Sequence, residues 1–321
     1  MSFTSDVLGL SLSDFQSAAR RVAPATVVTP LLPLARADGA VRFKAENLQP
    51  QGSFKLRAAV NTLGTLSDAE LRDGVVTASA GNFGRGLAYA ARLRGIPITV
   101  HVPDTAPRGK IDALTELGAQ VVLQPFAAWW TVMTERGVAG QRGRFIHPVC
   151  EVPVIAGNGT IALEIAAQWP EADTVVVPFG GGGMCSGIAL AFAALGRSVE
   201  VIACEIETST PLRSALNAGG PVTVTRGPSW VDGIGSTSVL PQMWPIVSTL
   251  VHDSMVVSHQ DAAAAIRLLA REAHLVVEGA AAVAAAAAMG SRLAGRNVVA
   301  VLSGGNIDMP VLARLLNDAP A

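Results

Sequence analysis

Of the 24 basic residues in this 321-residue chain only three are lysines, Lys44, Lys55 and Lys110, and the rest are arginines. Arginine stays protonated and cannot serve as an amine nucleophile, so chemistry that needs a primary amine rests on one of these three. Lys55 lies in Gln51-Gly52-Ser53-Phe54-Lys55-Leu56-Arg57, at the expected start of a helix, with Phe54 as an apolar or stacking neighbour. An ordinary lysine is a solvated charge on a helix face. A chain that uses arginine almost everywhere it needs charge singles Lys55 out for amine chemistry.

Phe179-Gly180-Gly181-Gly182-Gly183-Met184 follows an expected strand and leads into an expected helix. Consecutive glycines let several N–H groups converge, and a helix N-terminus adds positive partial charge, so the segment suits a phosphate. It is not a dinucleotide fingerprint. Counting from Gly180 or Gly181, the sixth position of G-x-G-x-x-G is Cys185 or Ser186. Gly109-Lys110 is followed by Ile111, which breaks the Walker pattern, and no G-x-S-x-G elbow is present.

Two further segments carry polar groups after strands. In Ser79-Ala80-Gly81-Asn82-Phe83-Gly84, Asn82 either caps the following helix or aims its amide at a ligand. Ser303-Gly304-Gly305-Asn306 is either a plain turn or one whose Ser303 hydroxyl meets a ring nitrogen. The five histidines, His101, His147, His252, His259 and His274, form no metal-binding pattern and read as structural. Cys150, Cys185 and Cys204 include no C-x-x-C and fit neither a disulfide framework nor a zinc site; Cys185 reads as a small buried residue.

The elements that must position these groups alternate strand and helix, the pattern of a parallel sheet with crossover helices. Strands are expected at Val75–Thr77, Ile98–Val102, Gln120–Leu123, Thr174–Pro178, Val199–Ala203 and Asn297–Leu302. Helices are expected at Arg85–Leu93, Lys110–Leu117, Ile161–Gln168, Ile188–Leu195, Asp261–Ala273 and Ala280–Met289. Ser13 with Gln16 resembles a capping box for an N-terminal helix. Gly81, Gly180–Gly183 and Gly304–Gly305 all fall just beyond strand ends, where open parallel sheets bind ligands, so one shared site is expected. The glycine- and proline-rich stretch Gly219–Gly235 reads as a long loop on the surface or over that site.

Composition narrows the classes. Half the chain is apolar, 15% is charged and the net charge is −1, which excludes disorder and removes the basic surplus of a nucleic-acid binder. The longest apolar run, Gly279–Ala288, is well short of the ~18–20 residues of a membrane span. No secretory signal opens the sequence, so a cytoplasmic protein is expected.

Taken together and in order, these segments resemble the fold-type II enzymes that use pyridoxal 5′-phosphate, in their serine/threonine dehydratase and serine racemase branch. The resemblance runs from Thr29 to Asp308 and includes Lys44-Ala-Glu46-Asn47-Leu-Gln49, the segment around Lys55, Ser79–Asn82, Ile155–Thr160, the glycine run and Ser303–Asn306. It implies an α/β, two-lobed, tryptophan synthase β-like architecture with open, mostly parallel sheets flanked by helices. Residues 1–65 and 144–321 would form the large cofactor-binding domain and 66–143 the small one closing over the substrate. Lys55 would hold the cofactor as a Schiff base and act as the catalytic base. Phe54 would pack near the ring, Asn82 would bond the ring hydroxyl, Gly180, Gly181, Gly182, Gly183 and Met184 would cradle the phosphate, and Ser303 would face the pyridine nitrogen. Ser79, Ala80, Gly81, Asn82 and Phe83 would meet the amino-acid substrate.

The implied reaction is β-elimination from a β-hydroxy-α-amino acid such as L-threonine or L-serine, giving a 2-oxo acid and ammonia. β-Replacement, racemisation and a non-catalytic cofactor- or amino-acid-binding regulator are the alternatives, and a homodimer is the expected assembly. Some departures bear on the choice. The racemases of this branch carry a serine where this chain has Ala80, and alanine cannot carry a proton. Dehydratases usually have histidine where this chain has Phe83. Phe126-Ala127-Ala128-Trp129-Trp130 stands where racemases place an arginine, and reads either as core packing or as a pocket for an apolar β-substituent. Glu205 matches one cation ligand of the racemases, but Pro211 falls near the other, so no metal is expected.

Overall fold

The computed structural model describes residues 2–34 and 40–317. Positions 1 and 318–321, at the ends of the expected large domain, and 35–39 within it, lie outside the described residues. The strands are Leu31–Leu34 (β1), Ala40–Lys44 (β2), Val75–Ala78 (β3), Ile98–Pro103 (β4), Gln120–Gln124 (β5), Arg144–Phe145 (β6), Thr174–Pro178 (β7), Glu200–Ile206 (β8), Asp253–Val257 (β9) and Asn297–Val301 (β10). They form two sheets, ordered β1-β2-β10-β7-β8-β9 and β5-β4-β3-β6. Every pairing is parallel except β1 with β2.

Strand position follows from residue type. β7 (Thr-Val-Val-Val-Pro) is buried along its whole length, and β10 (Asn-Val-Val-Ala-Val) from its second residue on. Near-continuous β-branched runs suit central parallel strands covered on both faces. One cover is the helix Gly279–Met289, where nine of eleven residues are buried and alanine lets the helix lie close to the sheet. The polar-ended β5 is half-exposed at an edge of the smaller sheet.

Register brings the chemistry together. Val301 of β10 pairs with Lys44 of β2, and the Leu302 N–H donates to the Lys44 carbonyl (2.9 Å). Immediately beyond, Ser53 bridges Gly304 and the Phe54 N–H donates to the Ser303 carbonyl (3.0 Å). Lys55 and Ser303 are thus tied to one strand end.

Two local expectations differ from the structure. A helix Phe3–Leu8 comes first; the one expected from Ser13 and Gln16 spans Leu12–Val22, and its reciprocal cap is Ser11 with Asp14, the Ser11 N–H donating to Asp14 Oδ2 (2.9 Å). An ionised carboxylate is the stronger acceptor for that N–H. The helix expected to begin at Ile161 begins at Val152. Pro153 sits in its first turn, where a missing N–H removes no helical hydrogen bond. Gly157 and Gly159, which look like breakers in sequence, are buried inside it.

Candidate active site

Of the three lysines, two are engaged elsewhere. Lys44 is buried and donates to Glu164 (2.5 Å), the Thr29 carbonyl (2.7 Å) and Gln168 (2.9 Å). Lys110 is paired with Asp232. Lys55 begins the helix Lys55–Thr65, and its Nζ reaches the Pro148 carbonyl at 3.3 Å. The amine lies 5.0 Å from the ring centre of Phe54 and 5.8 Å from that of Phe83. Burial drives its pKa down to about 8, against the opposing pull of the Glu278 carboxylate. At pH 7 about a tenth of such an amine is neutral, against roughly one part in three thousand for an ordinary lysine.

Lys55 faces a cavity whose wall includes Phe54, Ser79, Gly81, Asn82, Phe83, Gly180–Gly183, Met184 and Ser303. Ala80 lines an adjoining cavity that shares Gly81 and Asn82 with the first. The two segments Ser79–Phe83 and Phe179–Met184 each end a strand and open a helix, Asn82–Leu93 and Gly183–Ala194. Neither helix has a side-chain cap, so the first-turn N–H groups, which have no partner within a helix, are available to an anion. Gly182 caps the second at φ +87°, a left-handed conformation that glycine adopts without strain. A Cβ on Gly181 would stand 2.5 Å from Val149 Cγ2, so the loop is packed tightly from behind.

Ser303 Oγ is buried and has no hydrogen-bond partner among the described residues. A buried hydroxyl is rarely left so, and this one lies on the wall of the Lys55 cavity. Asn82 is the first residue of its helix, and Gly81 occupies the cap position, so the amide does not cap. Its Nδ2 donates to both carboxylate oxygens of Glu278 (3.0 and 2.9 Å), while its Oδ1 accepts from Asn306 Nδ2 (2.8 Å). Glu278 escaped sequence reasoning. Its one signal is that it is the single charge in the run Leu275–Ala288.

Other expectations resolve here. The stretch 219–243 contains no regular element, and its Asp232, Gly233 and Ile234 lie over the cavities. The aromatic run 126–130 lies on the helix Phe126–Glu135 over the smaller sheet. Trp129 donates its indole N–H to the His101 carbonyl (3.1 Å), while Phe126 and Trp130 are exposed. None of these residues lines either cavity, which removes the apolar-substituent pocket read from them. The Glu205 carboxylate accepts from the Leu212 and Arg213 N–H groups (2.7 and 2.8 Å) and from Ser254 Oγ (2.6 Å), so it caps the helix Pro211–Ala218. Cys185 is buried, and that burial pushes its thiol up to about 12. His147 is buried with Nδ1 accepting the N–H groups of Val149 (3.0 Å) and Cys150 (2.8 Å).

An isolated, partly neutral amine, a main-chain anion cradle and an unpartnered hydroxyl around one cavity suit a phosphorylated heteroaromatic aldehyde. The family described as "Pyridoxal-phosphate dependent enzyme" matches residues 22–304. An L-threonine ammonia-lyase of Thermotoga maritima is 38% identical over 286 residues, covering 87% of this chain and 70% of that one. Mouse serine racemase is 39% identical over 280 residues, covering 84% and 82%. The structure of tomato (Solanum lycopersicum) threonine deaminase isoform 2 superposes with a TM-score of 0.85 at 29% identity, covering 98% and 95%. Cavity, sequence and fold agree, and the chain belongs to the pyridoxal-phosphate dependent enzyme family.

Proposed function

We propose that this chain is an ammonia-lyase that removes the β-hydroxyl of a β-hydroxy-α-amino acid such as L-threonine or L-serine and yields a 2-oxo acid and ammonia. The observation that carries the reading is the Lys55 amine, which among the described residues is paired with no acid and shares a cavity wall with the glycine run and Ser303. Pyridoxal phosphate fits the residues present. In this reading Lys55 holds its aldehyde, Gly180–Met184 its phosphate, Ser303 its ring nitrogen and Asn82 its ring hydroxyl, with Phe54 beside the ring.

When bound, the cofactor supplies an electron sink for the pair left at Cα once its proton is gone. A serine hydroxyl, unlike a carboxylate, leaves the ring nitrogen largely neutral and moderates that sink, which favours prompt loss of a β-substituent. The first-turn N–H groups of Asn82–Leu93 bind the substrate carboxylate and orient Cα toward Lys55. Lys55 Nζ would take the Cα proton, and its depressed pKa would let it do so near neutral pH. Phe54 and Phe83 narrow the cavity and exclude water. Ala80 has no proton to deliver to the opposite face, which favours elimination over racemisation.

The same reading takes residues 66–143 as the unit that closes over the substrate, supported by the separate four-stranded sheet, of which β3, β4 and β5 lie within that range and β6, at Arg144–Phe145, just beyond it. It takes the assembly as a homodimer, for which the exposed Val27, Val28, Leu48 and Val276 are available. It places the protein in the cytoplasm without nucleic-acid partners, in keeping with three free cysteines and a net charge of −1. Among the described residues no helix is long and apolar enough to cross a membrane.

Borohydride reduction followed by peptide mapping tests the site, with the label expected on Lys55. A panel of threonine, serine and phenylserine tests the reaction. The rate at which pyridoxal phosphate attaches to Lys55 should rise with pH about a midpoint near 8. A labelled protein that releases no 2-oxo acid from any of the three would point to a binding protein instead.

A further inference from the structure

The cavity around Lys55 holds one carboxylate, that of Glu278. We propose that Glu278 is a positioning residue for the cofactor, acting through Asn82, and that a proton on its carboxylate sets the charge beside Lys55. The proposal rests on the cofactor-holding role read above for Asn82.

Glu278 is buried, and among the described residues no Lys, Arg or His nitrogen lies within ion-pair distance of it. Its oxygens instead receive the Asn82 Nδ2 group. An ionised carboxylate only accepts, so Asn82 must turn its nitrogen toward Glu278 and its oxygen toward Asn306. The orientation is relayed outward. Asn306 Nδ2 also donates to the Gln51 carbonyl (2.9 Å), and Asn306 Oδ1 accepts from Arg85 Nη1 (3.0 Å). Arg85 Nε in turn donates to Gln51 Oε1 (3.0 Å). The amide is therefore held from both ends.

The backbone fixes the carboxylate as firmly. The Glu278 N–H donates to the Gly304 carbonyl (2.9 Å), and Glu278 caps the helix Gly279–Met289. A Cβ on Gly304 would stand 2.6–2.9 Å from the carboxyl atoms, so the Ser303-Gly304 turn leaves room for this side chain and no more.

The ionisable groups that share a cavity wall with Glu278 are Lys55 in the first cavity and Arg85, Lys110, Asp232 and Asp308 in the adjoining one. Burial raises its pKa to about 7; Asp232 adds to the rise, while the Asn82 hydrogen bond and Lys110 oppose it. Near neutral pH the group thus stands half-protonated. Ionised, it favours the charged form of Lys55; protonated, it leaves the amine to the effect of burial alone.

Glu278→Gln keeps the size and an acceptor for Asn82 and removes the titration. Infrared spectra of the full chain from pH 5 to 9 should show a protonated-carboxyl band that vanishes about a midpoint near 7 and is missing from the variant. In the loaded enzyme the variant should still be labelled at Lys55 by borohydride. Its visible absorbance should no longer change between pH 6 and 8, and its cofactor Kd should rise about tenfold, the size of one buried hydrogen bond. Glu278→Asp should restore the absorbance change with a shifted midpoint. A Glu278→Gln curve and Kd that superimpose on wild type overturn the proposal. Should Glu278→Gln fail to fold, Glu278→Asp decides, since an unmoved infrared midpoint also overturns it. Failure to label Lys55 in the wild type instead overturns the cofactor reading and leaves the infrared result standing.

Discussion

Arg57 clasps Glu46 with two hydrogen bonds of 2.8 Å, from Nε to Oε2 and from Nη2 to Oε1, two residues beyond Lys55 in the chain. The pair is buried and extends through Arg57 Nη1 to Glu164 (2.7 Å), which also receives Lys44. Burial disfavours the charge on Glu46, but the cations of Arg57 and Lys44 outweigh it and hold the carboxyl below its ordinary range. The helix that presents Lys55 is thereby fixed at its first turn to β2 and to the helix Val152–Gln168.

Removing one member strands the others. Arg57→Met should lower stability by about 3–5 kcal/mol, because the buried Glu46 carboxylate loses its paired cation while Glu164 keeps only Lys44. Denaturant unfolding measures it. A loss below about 1 kcal/mol would mean that water enters and solvates Glu46.

Ala80 lines the second cavity and precedes Gly81 and Asn82, which line both. On the reading proposed above, Ala80→Ser adds a hydroxyl that can carry a proton to the side of Cα opposite Lys55. Chiral chromatography of reactions with L-serine should then detect D-serine at about a few per cent of the elimination rate, with none from the wild type. Absence of D-serine in an active variant would show that position 80 does not face Cα.

His147 stays neutral because its Nδ1 accepts two N–H groups and its surroundings are buried; burial, with Arg136 and Lys55 nearby, lowers its pKa to about 3. The unfolded chain takes up the proton near pH 6.5, so the stability this group contributes is present above 6.5 and is lost as pH falls from there toward 3. Stability should drop with a slope approaching 1.4 kcal/mol per pH unit from this residue alone. His147→Asn, which keeps an acceptor but does not titrate, should flatten the curve by that amount. An unchanged slope would assign the acid sensitivity to other groups.

Much of the candidate site was legible because the cavity is walled by main chain that only certain residues permit. The glycine run, the strand-end serine and the single useful lysine announce themselves by type and place. Glu278 did not, since its role depends on Asn82, 196 positions away in the chain. Strand β9 was missed because its pattern of buried and exposed residues, Asp-Ser-Met-Val-Val, is set by an edge position that only the sheet order reveals. The aromatic run was misleading for the opposite reason. Trp129 and Trp130 look like residues that must be buried, yet a helix on the outside of the smaller sheet turns one inward and leaves the other in solvent.

The glycine run Gly180–Gly183, proposed above to hold the phosphate, has no side chains to lose, so its tolerance is decided by the neighbours that crowd it. Val149 presses on Gly181 and Val247 on Gly182, with methyl groups 2.5 and 2.7 Å from where a Cβ would stand. Bulkier residues at either valine would strike the loop from its far side without touching anything the enzyme binds. Sensitive positions in this protein therefore include residues whose only contribution is the shape of the space they leave.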